Sequence, residues 1–574
     1  MPQKPLSARN KRWDLRDPAP PEFARRLGLS PLLADLLHQR EQRDPDAVRA
    51  FLQADYRGGL HDPFLMKGMR EASTRIAQAI RRGEPMAVYG DFDTDGVTAV
   101  TLLMQAITAM GGNIRPYIPH RTREGYGLNN QAVSQLAAEG VRLLITVDCG
   151  ISNVAEVAEA MRLGLDVIVT DHHHPPAEIP TALAVVNPKQ EGCAYPYKQL
   201  VGVGIAFKLV QALVRNGLTL GELRGRDLLD VVALGTVTDM GPLTGENRVL
   251  VKAGLEAINK TERPGLKALI EVAGLVQGQI TSSDIGYMLG PRINAAGRLD
   301  DAVLAYKLLL AEDYASARLI ADDLNRANRE RQELTKKVQQ LAREQAEATG
   351  KHEQRIVVLD GEEFPAGVVG LVAGKLVEEW GRPVLLIERG PEQSRGSARS
   401  VPGFSIIEAL TTCKELFVRF GGHAAAAGFT IDNANLPALE DHLLGLAAET
   451  LSDELLQPSI TIDAVVDLSN VGWALQEELA QLEPFGQANP QPTLMSRAVE
   501  VVDARQRGAD GQHLRLVLRS GSTTHEAIAF RLGQFADALR RRPLIDVAYT
   551  VEANEWNGER RLQLNVKDFR SARG

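Results

Sequence analysis

Three short apolar runs, each ending in acidic or imidazole residues, constrain this chain more than any other feature. Residues 86–89 run into Asp91, Asp93 and Asp95. Residues 143–147 run into Asp148, and residues 167–169 into Asp171, His172 and His173. Helix-like stretches at 97–110 and near 152–163 separate them. Such alternation builds a parallel sheet with helices on both faces. In an open sheet of that class, ligands bind beyond the carboxyl ends of the strands, so the three ends converge on one crevice. Asp239, also after an apolar run, is a fourth candidate.

Clustered carboxylates repel one another unless cations neutralise them. Oxygen ligands mixed with imidazole suit manganese better than calcium and leave zinc and iron open. Two ions about 3.5–4 Å apart would clamp the attacking and leaving oxygens of a phosphoryl displacement, with an acidified water as nucleophile. Taken singly, each motif has a blander reading. A lone Asp-x-Asp is usually a solvated acidic turn, and paired histidines are more often surface or core residues. The half-match of residues 91–96 to a calcium loop fails, because its twelfth position is Leu102. Three separate run ends carrying ligand-type residues outweigh those alternatives. His174, followed by Pro175 and Pro176, is expected outside the ligand set, and Cys149 is expected to be a packed residue.

The rest of the chain divides by pattern. Residues 1–60 are Pro- and Arg-rich, then helical, and read as an N-terminal extension. Residues 61–310 hold the acidic motifs in an α/β catalytic domain. Residues 311–350 lack internal breakers and read as a connecting helix. Residues 351–452 repeat the strand–helix alternation in a second α/β domain. Residues 453–574 are β-rich, with alternation at Leu562, Leu564 and Val566 after an Asn557-Gly558 hairpin signal. They read as a C-terminal barrel. No internal repeat or low-complexity tract interrupts this order.

Three cysteines among 574 residues form neither a disulfide framework nor a thiolate zinc site, which suits a reducing cytoplasm. The first residues carry no apolar signal-peptide core, and no apolar run approaches the ~20 residues of a membrane span. The net charge of −8 disfavours a simple nucleic-acid-binding module. It does not exclude a local basic face, and a metal-binding acidic cluster inflates the count.

The motifs, in their order, resemble the DHH phosphoesterase superfamily and, within it, the RecJ family. The matching segments are 89–96, 147–150, 170–173 and 233–243, followed by 289–301. Residues 396–400 and 420–429 resemble the superfamily's associated second domain, and 482–492 with the β-rich tail resemble the RecJ OB-fold. The likeness covers nearly all of the chain beyond residue 60. Small-substrate branches carry a His four residues before the first motif's metal-binding Asp; here Tyr89 stands there, as in the RecJ branch. Whether Asp91 replaces that ligand stays open.

The resemblance implies a metal-dependent exonuclease that degrades single-stranded DNA from 5′ to 3′ and releases 5′-mononucleotides. It implies Mn2+ or Mg2+, two ions, held by Asp93, Asp95, Asp148, His172 and Asp239. Asp171 would ligate or orient a histidine, and His173 would meet the scissile phosphate. It further implies work in DNA repair, recombination and mismatch repair. The implied partners are single-stranded-DNA-binding protein and a RecQ-type helicase. No membrane partner is expected, and monomer is the default.

Substrate contacts are expected from Arg292, Asn294 and Arg298, and from Ser397, Arg399, Gly422 and His423. Arginine grips phosphate in bidentate fashion, and glycines let a backbone approach it closely. Tight strand packing and helix-face salt bridges are the competing readings. In the tail, Arg505, Arg507, Arg515 and Trp556 would line a groove for single strands, although Trp556 also suits simple hairpin packing. Two other functions stay open: a phosphodiesterase for short oligonucleotides or cyclic dinucleotides, and a non-catalytic scaffold. The extended chain disfavours the first, and the intact motifs disfavour the second.

Overall fold

The computed structural model describes residues 7–121, 123–299, 302–556 and 559–572, without the side chains of 299, 554–556 and 559. The hairpin signal at 557–558 and the Trp556 side chain therefore lie outside the described residues. Two compact units form. One comprises 42–329 with 481–491; the other takes in the N-terminal segment to 41, 330–480 and 492 onward.

The first unit is built on five parallel strands: β1 (Met86–Gly90), β2 (Ile114–Tyr117), β3 (Leu143–Val147), β4 (Asp166–Thr170) and β5 (Ala184–Val186). Their order is β2-β1-β3-β4-β5. Every residue of β1 and β3 is buried, because both faces of the sheet are covered. Met86, Val88, Leu143 and Ile145 point into one core; Ala87, Tyr89 and Leu144 point into the other. Helices α1 (Thr94–Ala109), α2 (Gly202–Arg215) and α3 (Leu229–Thr238) pack in the first core. The chain leaves β1 toward one neighbour and returns on its other side with β3. That reversal opens a crevice at the carboxyl ends of β1 and β3.

The long apolar-poor segment is one 35-residue helix, α5 (Tyr314–Ala348), preceded by a π-helical turn (Ile285–Leu289) and α4 (Gly290–Leu299). The second unit carries a five-stranded mixed sheet, ordered β9-β10-β8-β7-β6. Its strands are β6 (Val357–Gly361), β7 (Val384–Glu388), β8 (Gln393–Arg399), β9 (Phe417–His423) and β10 (Ala426–Asp432), with helix α6 (Ala366–Trp380) after β6. Val338, Ala342 and Ala346, spaced four residues apart on α5, pack with Val369 and Val372 of α6 over Val357 and Val384.

The C-terminal strands are β11 (Leu494–Arg507), β12 (His513–Ser520), β13 (Thr523–Ala529), β14 (Leu544–Trp556) and β15 (Glu559–Ser571). They pair in the order β11-β12-β13-β15-β14, and β14 returns to β11, which closes an OB-like barrel. The N-terminal residues join this unit. Strand Arg12–Leu15 pairs in parallel with Ser459–Ile462, and Trp13 donates from Nε1 to Asp568 at 2.9 Å. Leu33, Leu36 and Leu37 of the N-terminal segment are buried. Residues 481–491 group with the first unit. Among the described residues, no helix is long and apolar enough to cross a membrane.

Candidate metal centre

The crevice at the end of β1 and β3 collects the acidic motifs. Asp93 caps α1, its Oδ1 accepting from the N–H groups of Asp95 (2.9 Å) and Gly96 (3.1 Å). Asp95 is fully buried and accepts from the first turn of α2, through Gly202 N–H (2.6 Å) and Val203 N–H (2.8 Å). A Cβ at Gly202 would sit 2.6 Å from Asp148 Cβ and 2.9 Å from Asp95 Oδ2. Only glycine lets this helix start so close to two carboxylates. Gly202 is absent from the sequence-derived set; its one local signal is the Val-Gly-Val-Gly opening of a helix.

Asp148 adopts a left-handed backbone, φ 60°, rare for a residue with a side chain. Just past β3, this conformation accompanies the entry of its carboxylate into the crevice. His172 Nε2 lies 3.0 Å from Asp148 Oδ1, 3.8 Å from Asp239 Oδ2 and 3.9 Å from Asp95 Oδ2. Asp239 follows α3, so the apolar run before it is a helix; short apolar runs do not distinguish the two. Ligand atoms of Asp91, Asp93 and Asp148 lie within 4.8 Å of one another, as do those of Asp95, His172 and Asp239. Asp148 also groups with His172 and His173.

Burial, then the neighbouring carboxylates, push Asp91, Asp148 and Asp239 well above the usual carboxylate range, and Asp95 up to about 7. Burial, with the charge of His173, lowers His172 to about 3, so its imidazole is neutral and able to ligate. Asp91 Oδ1 is buried without a hydrogen-bond partner, and Asp148 Oδ1 and His172 Nε2, although 3.0 Å apart, lack hydrogen-bond geometry. Repelling carboxylates, a neutral imidazole and unsatisfied acceptors in one crevice are the donor set of a divalent-cation site.

Asp171 turns away from this donor set. Its Oδ2 accepts from Ile151 N–H (2.9 Å), and its Oδ1 bonds His173 Nδ1 (2.7 Å). Burial works to raise Asp171, but the bond and charge of His173 overcome it and hold the carboxyl below its ordinary value. Burial opposes the charged form of His173, while Asp171, Asp91 and Asp93 raise its pKa. Asn187 fixes the backbone from below, donating to His173 O at 2.8 Å. Tyr126 OH stands 3.2 Å from His173 Nδ1 and donates to Asp148 O at 3.3 Å.

A cleft of about 470 Å³ opens on the cluster, walled by Arg121, Tyr126, His173, Met240, Asn294 and Arg298. Arg121 lies over the Phe92 ring, 4.8 Å from its centroid, and Asp91 and Asp93 offset the cost of burying it. The sequence reading missed Arg121 and Tyr126, because neither belongs to an acidic motif. Asn294 and Arg298 line the cleft. Arg292 does not line it; it donates to Asn325 Oδ1 (3.1 Å) and Met288 O (2.6 Å), tying α4 to α5. Tyr89 points to the opposite core, its hydroxyl donating to Gly127 O at 2.8 Å.

Residues 85–236 match the DHH family N-terminal domain, 353–452 the DHHA1 domain and 462–568 the RecJ OB domain. The single-stranded-DNA-specific exonuclease RecJ of Bacillus subtilis is 38% identical, over 98% of this chain and 71% of its own length. The chain belongs to the RecJ family. RecJ of Dickeya dadantii is 35% identical, over 94% of this chain and 96% of its own length. The crystal structure of Thermus thermophilus RecJ in complex with Mn2+ superimposes with a TM-score of 0.83 at 32% identity, covering 98% of this chain and 80% of that one.

The RecJ-family DHHA1 segment lies in the second unit. Ser397 and Arg399 on β8 share one face of the sheet with Gly421 and His423 on β9. Gly422 falls on the other face, in the row of buried Ala398 and Ala427. Gly421, not Gly422, is thus the glycine beside the polar side chains. Arg399 donates to Ser397 Oγ (2.9 Å) and Ala398 O (2.8 Å). A Cβ at Gly370 of α6 would come within 2.9 Å of both Arg399 and Ser397, so this helix crosses them closely. On the barrel, Arg505 pairs with Asp503 at 2.8 Å and Arg515 with Glu526, while Arg507 is exposed.

Proposed function

We propose that this chain is a divalent-metal-dependent exonuclease that degrades single-stranded DNA from its 5′ end and releases 5′-mononucleotides. The observation that carries the reading is the convergence of Asp91, Asp93, Asp95, Asp148, Asp239 and His172 in one cleft, with buried acceptors lacking hydrogen-bond partners. Membership of the RecJ family supplies the substrate class.

Two ions, manganese or magnesium, would be held by Asp93, Asp95, Asp148, His172 and Asp239, with Asp91 as a further donor. Bound there, they supply Lewis acidity at the phosphodiester and lower the pKa of the attacking water. His173, oriented by Asp171, would meet a phosphate oxygen through Nε2, because Nδ1 is occupied by the carboxylate. Arg121 and Arg298 would balance the negative charge of the reacting phosphate. Ser397, Arg399 and His423 would receive the 5′-terminal phosphate. Repair and recombination are the corresponding cellular roles, with single-stranded-DNA-binding protein and a RecQ-type helicase as partners, in the cytoplasm.

The test uses single-stranded DNA labelled at either end, with manganese, and Asp93→Ala in parallel. Immediate release of the 5′ label as a mononucleotide, gradual shortening of the 3′-labelled strand and an inert variant are expected. Long strands that survive while dinucleotides are cleaved would replace this reading with a dinucleotide phosphodiesterase.

A further inference from the structure

Behind the acidic cluster lies a layer of support that none of its motifs contains. Asp95 is held by the first two N–H groups of α2, at 2.6 and 2.8 Å, and α2 has no side-chain cap of its own at Val201. The fit is narrow. A Cβ at Gly202 would collide with Asp148 and Asp95, and one at Gly235 of α3 would sit 2.8 Å from Val203 and 3.2 Å from Asp95 Oδ1. The start of α2 therefore cannot advance. A retreat of about 1 Å would break both bonds to Asp95, and functional groups need placement to within about 0.5 Å. Contacts elsewhere on α2 must fix its position.

Two adjacent residues do so from one side. The helix Gly245–Asn259 starts shortly after Asp239, and its Glu246 and Asn247 are buried. Asn247 Nδ2 donates to Gln199 O at 2.7 Å, just before α2 begins. Glu246 Oε1 accepts from Lys208 Nζ, in the second turn of α2, at 3.1 Å and from His61 N–H at 2.8 Å. Its Oε2 accepts from Tyr195 OH at 2.5 Å. The start of α2 is thus gripped both ahead of its first turn and beyond it.

The loop that leaves Asp239 is moulded to the same segment. Tyr197 OH donates to Pro242 O at 3.2 Å. A Cβ at Gly245, where φ is 47°, would meet the Tyr197 ring at 2.6 Å, and one at Gly241 would meet Val201 at 2.6 Å. The connection from one candidate ligand, Asp239, therefore wraps the chain that carries the donors to another, Asp95.

Lys208 and Glu246 have fully buried side chains. A buried ion pair stabilises a fold little better than apolar packing, because desolvation cancels most of its attraction; its best-attested use is to fix register. Arg248, on the same turn, instead donates to Phe51, Leu482 and Glu483. One helix turn thus serves two different neighbours through separate side chains.

We propose that Glu246 and Asn247 are positioning residues for the metal centre, setting α2 in the register at which Gly202 and Val203 aim Asp95 at a divalent cation. The inference rests on the divalent-metal reading and adds residues outside the acidic motifs and the cleft.

Calorimetric titration of Mn2+ into the full metal-free chain tests it, with the electron paramagnetic resonance spectrum of the bound Mn2+ as a second readout. Asn247→Asp keeps the side-chain shape but removes the donor to Gln199 O. Glu246→Gln/Lys208→Met removes the tether to α2 without leaving a buried charge unpaired. Each should bind manganese about tenfold more weakly, as for other partners that orient metal ligands, with an altered spectrum. The double variant should melt within about 4 °C of the wild type in EDTA, because neutral replacement of a buried pair costs little stability. Arg248→Met, on the same turn, should keep manganese affinity within about twofold of the wild type, a much smaller change than the one expected of the positioning variants. Unchanged affinity in the double variant overturns the inference, as does an equal fall in Arg248→Met. Losses confined to variants that melt well below the wild type also overturn it, and assign the two residues to packing alone. A wild-type chain that takes up no manganese removes the metal reading itself; a wild type that binds, matched by both variants, removes only the positioning role.

Discussion

The side-chain oxygen of Asn294 accepts hydrogen bonds from both the N–H and the hydroxyl of Thr94, each at 2.9 Å. Thr94 stands between Asp93 and Asp95, so α4 holds the first acidic loop by its middle residue. We infer that Asn294 positions the acidic loop, beside the substrate contact expected from the sequence. Partners that orient metal ligands typically contribute tenfold to a hundredfold in affinity. Asn294→Ala should therefore weaken manganese binding by about tenfold or more. Calorimetric titration of the metal into each protein measures this. Unchanged manganese affinity, with lost affinity for DNA, would return Asn294 to substrate recognition.

Metal-free stability should fall as pH rises from about 6.5 to 8. Asp91, Asp95, Asp148 and Asp239 have raised folded pKa values, so the folded state holds more protons than the unfolded chain in this window. His173, also raised, loses its contribution as pH climbs through its folded value. His172, lowered to about 3, acts oppositely only below its unfolded value, and lowered Asp171 acts only in acid. Manganese should raise the melting temperature, and more at pH 8 than at pH 6.5, because it neutralises the same carboxylates. Scanning calorimetry in EDTA and in manganese checks both statements. A melting temperature that climbs with pH in EDTA would contradict the repulsion described here.

Much of the site was legible because its motifs are local. A carboxylate that ends an apolar run is visible in five or six residues, and the topology of an open parallel sheet does the rest. What escaped depends on contacts between residues far apart in sequence. Gly202 meets Asp95 from more than a hundred positions away, and Asn294 meets Thr94 from two hundred. Arg121 needs the Phe92 ring and two carboxylates before its place is meaningful. The exchange of Gly422 for Gly421 is a matter of register, since one residue reverses the face of a strand. Asp239 stands at a helix end, because an apolar run of that length fits either element.

Arg399 shares its sheet face with Ser397 and His423, and burial depresses its pKa. A half-buried guanidinium held by a hydroxyl and a carbonyl is preorganised for a phosphate. Arg399→Ala should weaken binding of a 5′-phosphorylated strand by about tenfold or more, with a much smaller effect on a 5′-hydroxyl strand. Fluorescence anisotropy with both ends, in EDTA, measures the ratio. Equal weakening of the two would rule out a terminal-phosphate contact.

Arg248 is 1% exposed, and its guanidinium lies over the Phe51 ring, 3.9 Å from the centroid. It donates to Phe51 O (2.8 Å), Leu482 O (2.9 Å) and Glu483 O (2.7 Å). Ser282 Oγ donates to Phe485 O and Leu243 N–H to Gln487 O, so residues 481–491 are fastened to the unit that holds the metal cleft. The charge is buried among carbonyls. Arg248→Met keeps the approximate side-chain volume but removes the guanidinium donors to Phe51 O and Glu483 O, while Leu482 O keeps Asn489 Nδ2. At about 1–3 kcal/mol for each buried group left unsatisfied, the loss should be local and large. Hydrogen exchange should speed up in residues 481–491 and around Phe51, well before the parallel sheet responds. Manganese affinity should hold, because neither Arg248 nor the segment touches the acidic cluster. If exchange rose uniformly through β1, β3 and β4 instead, Arg248 would be a core element of the whole unit and not a local clamp.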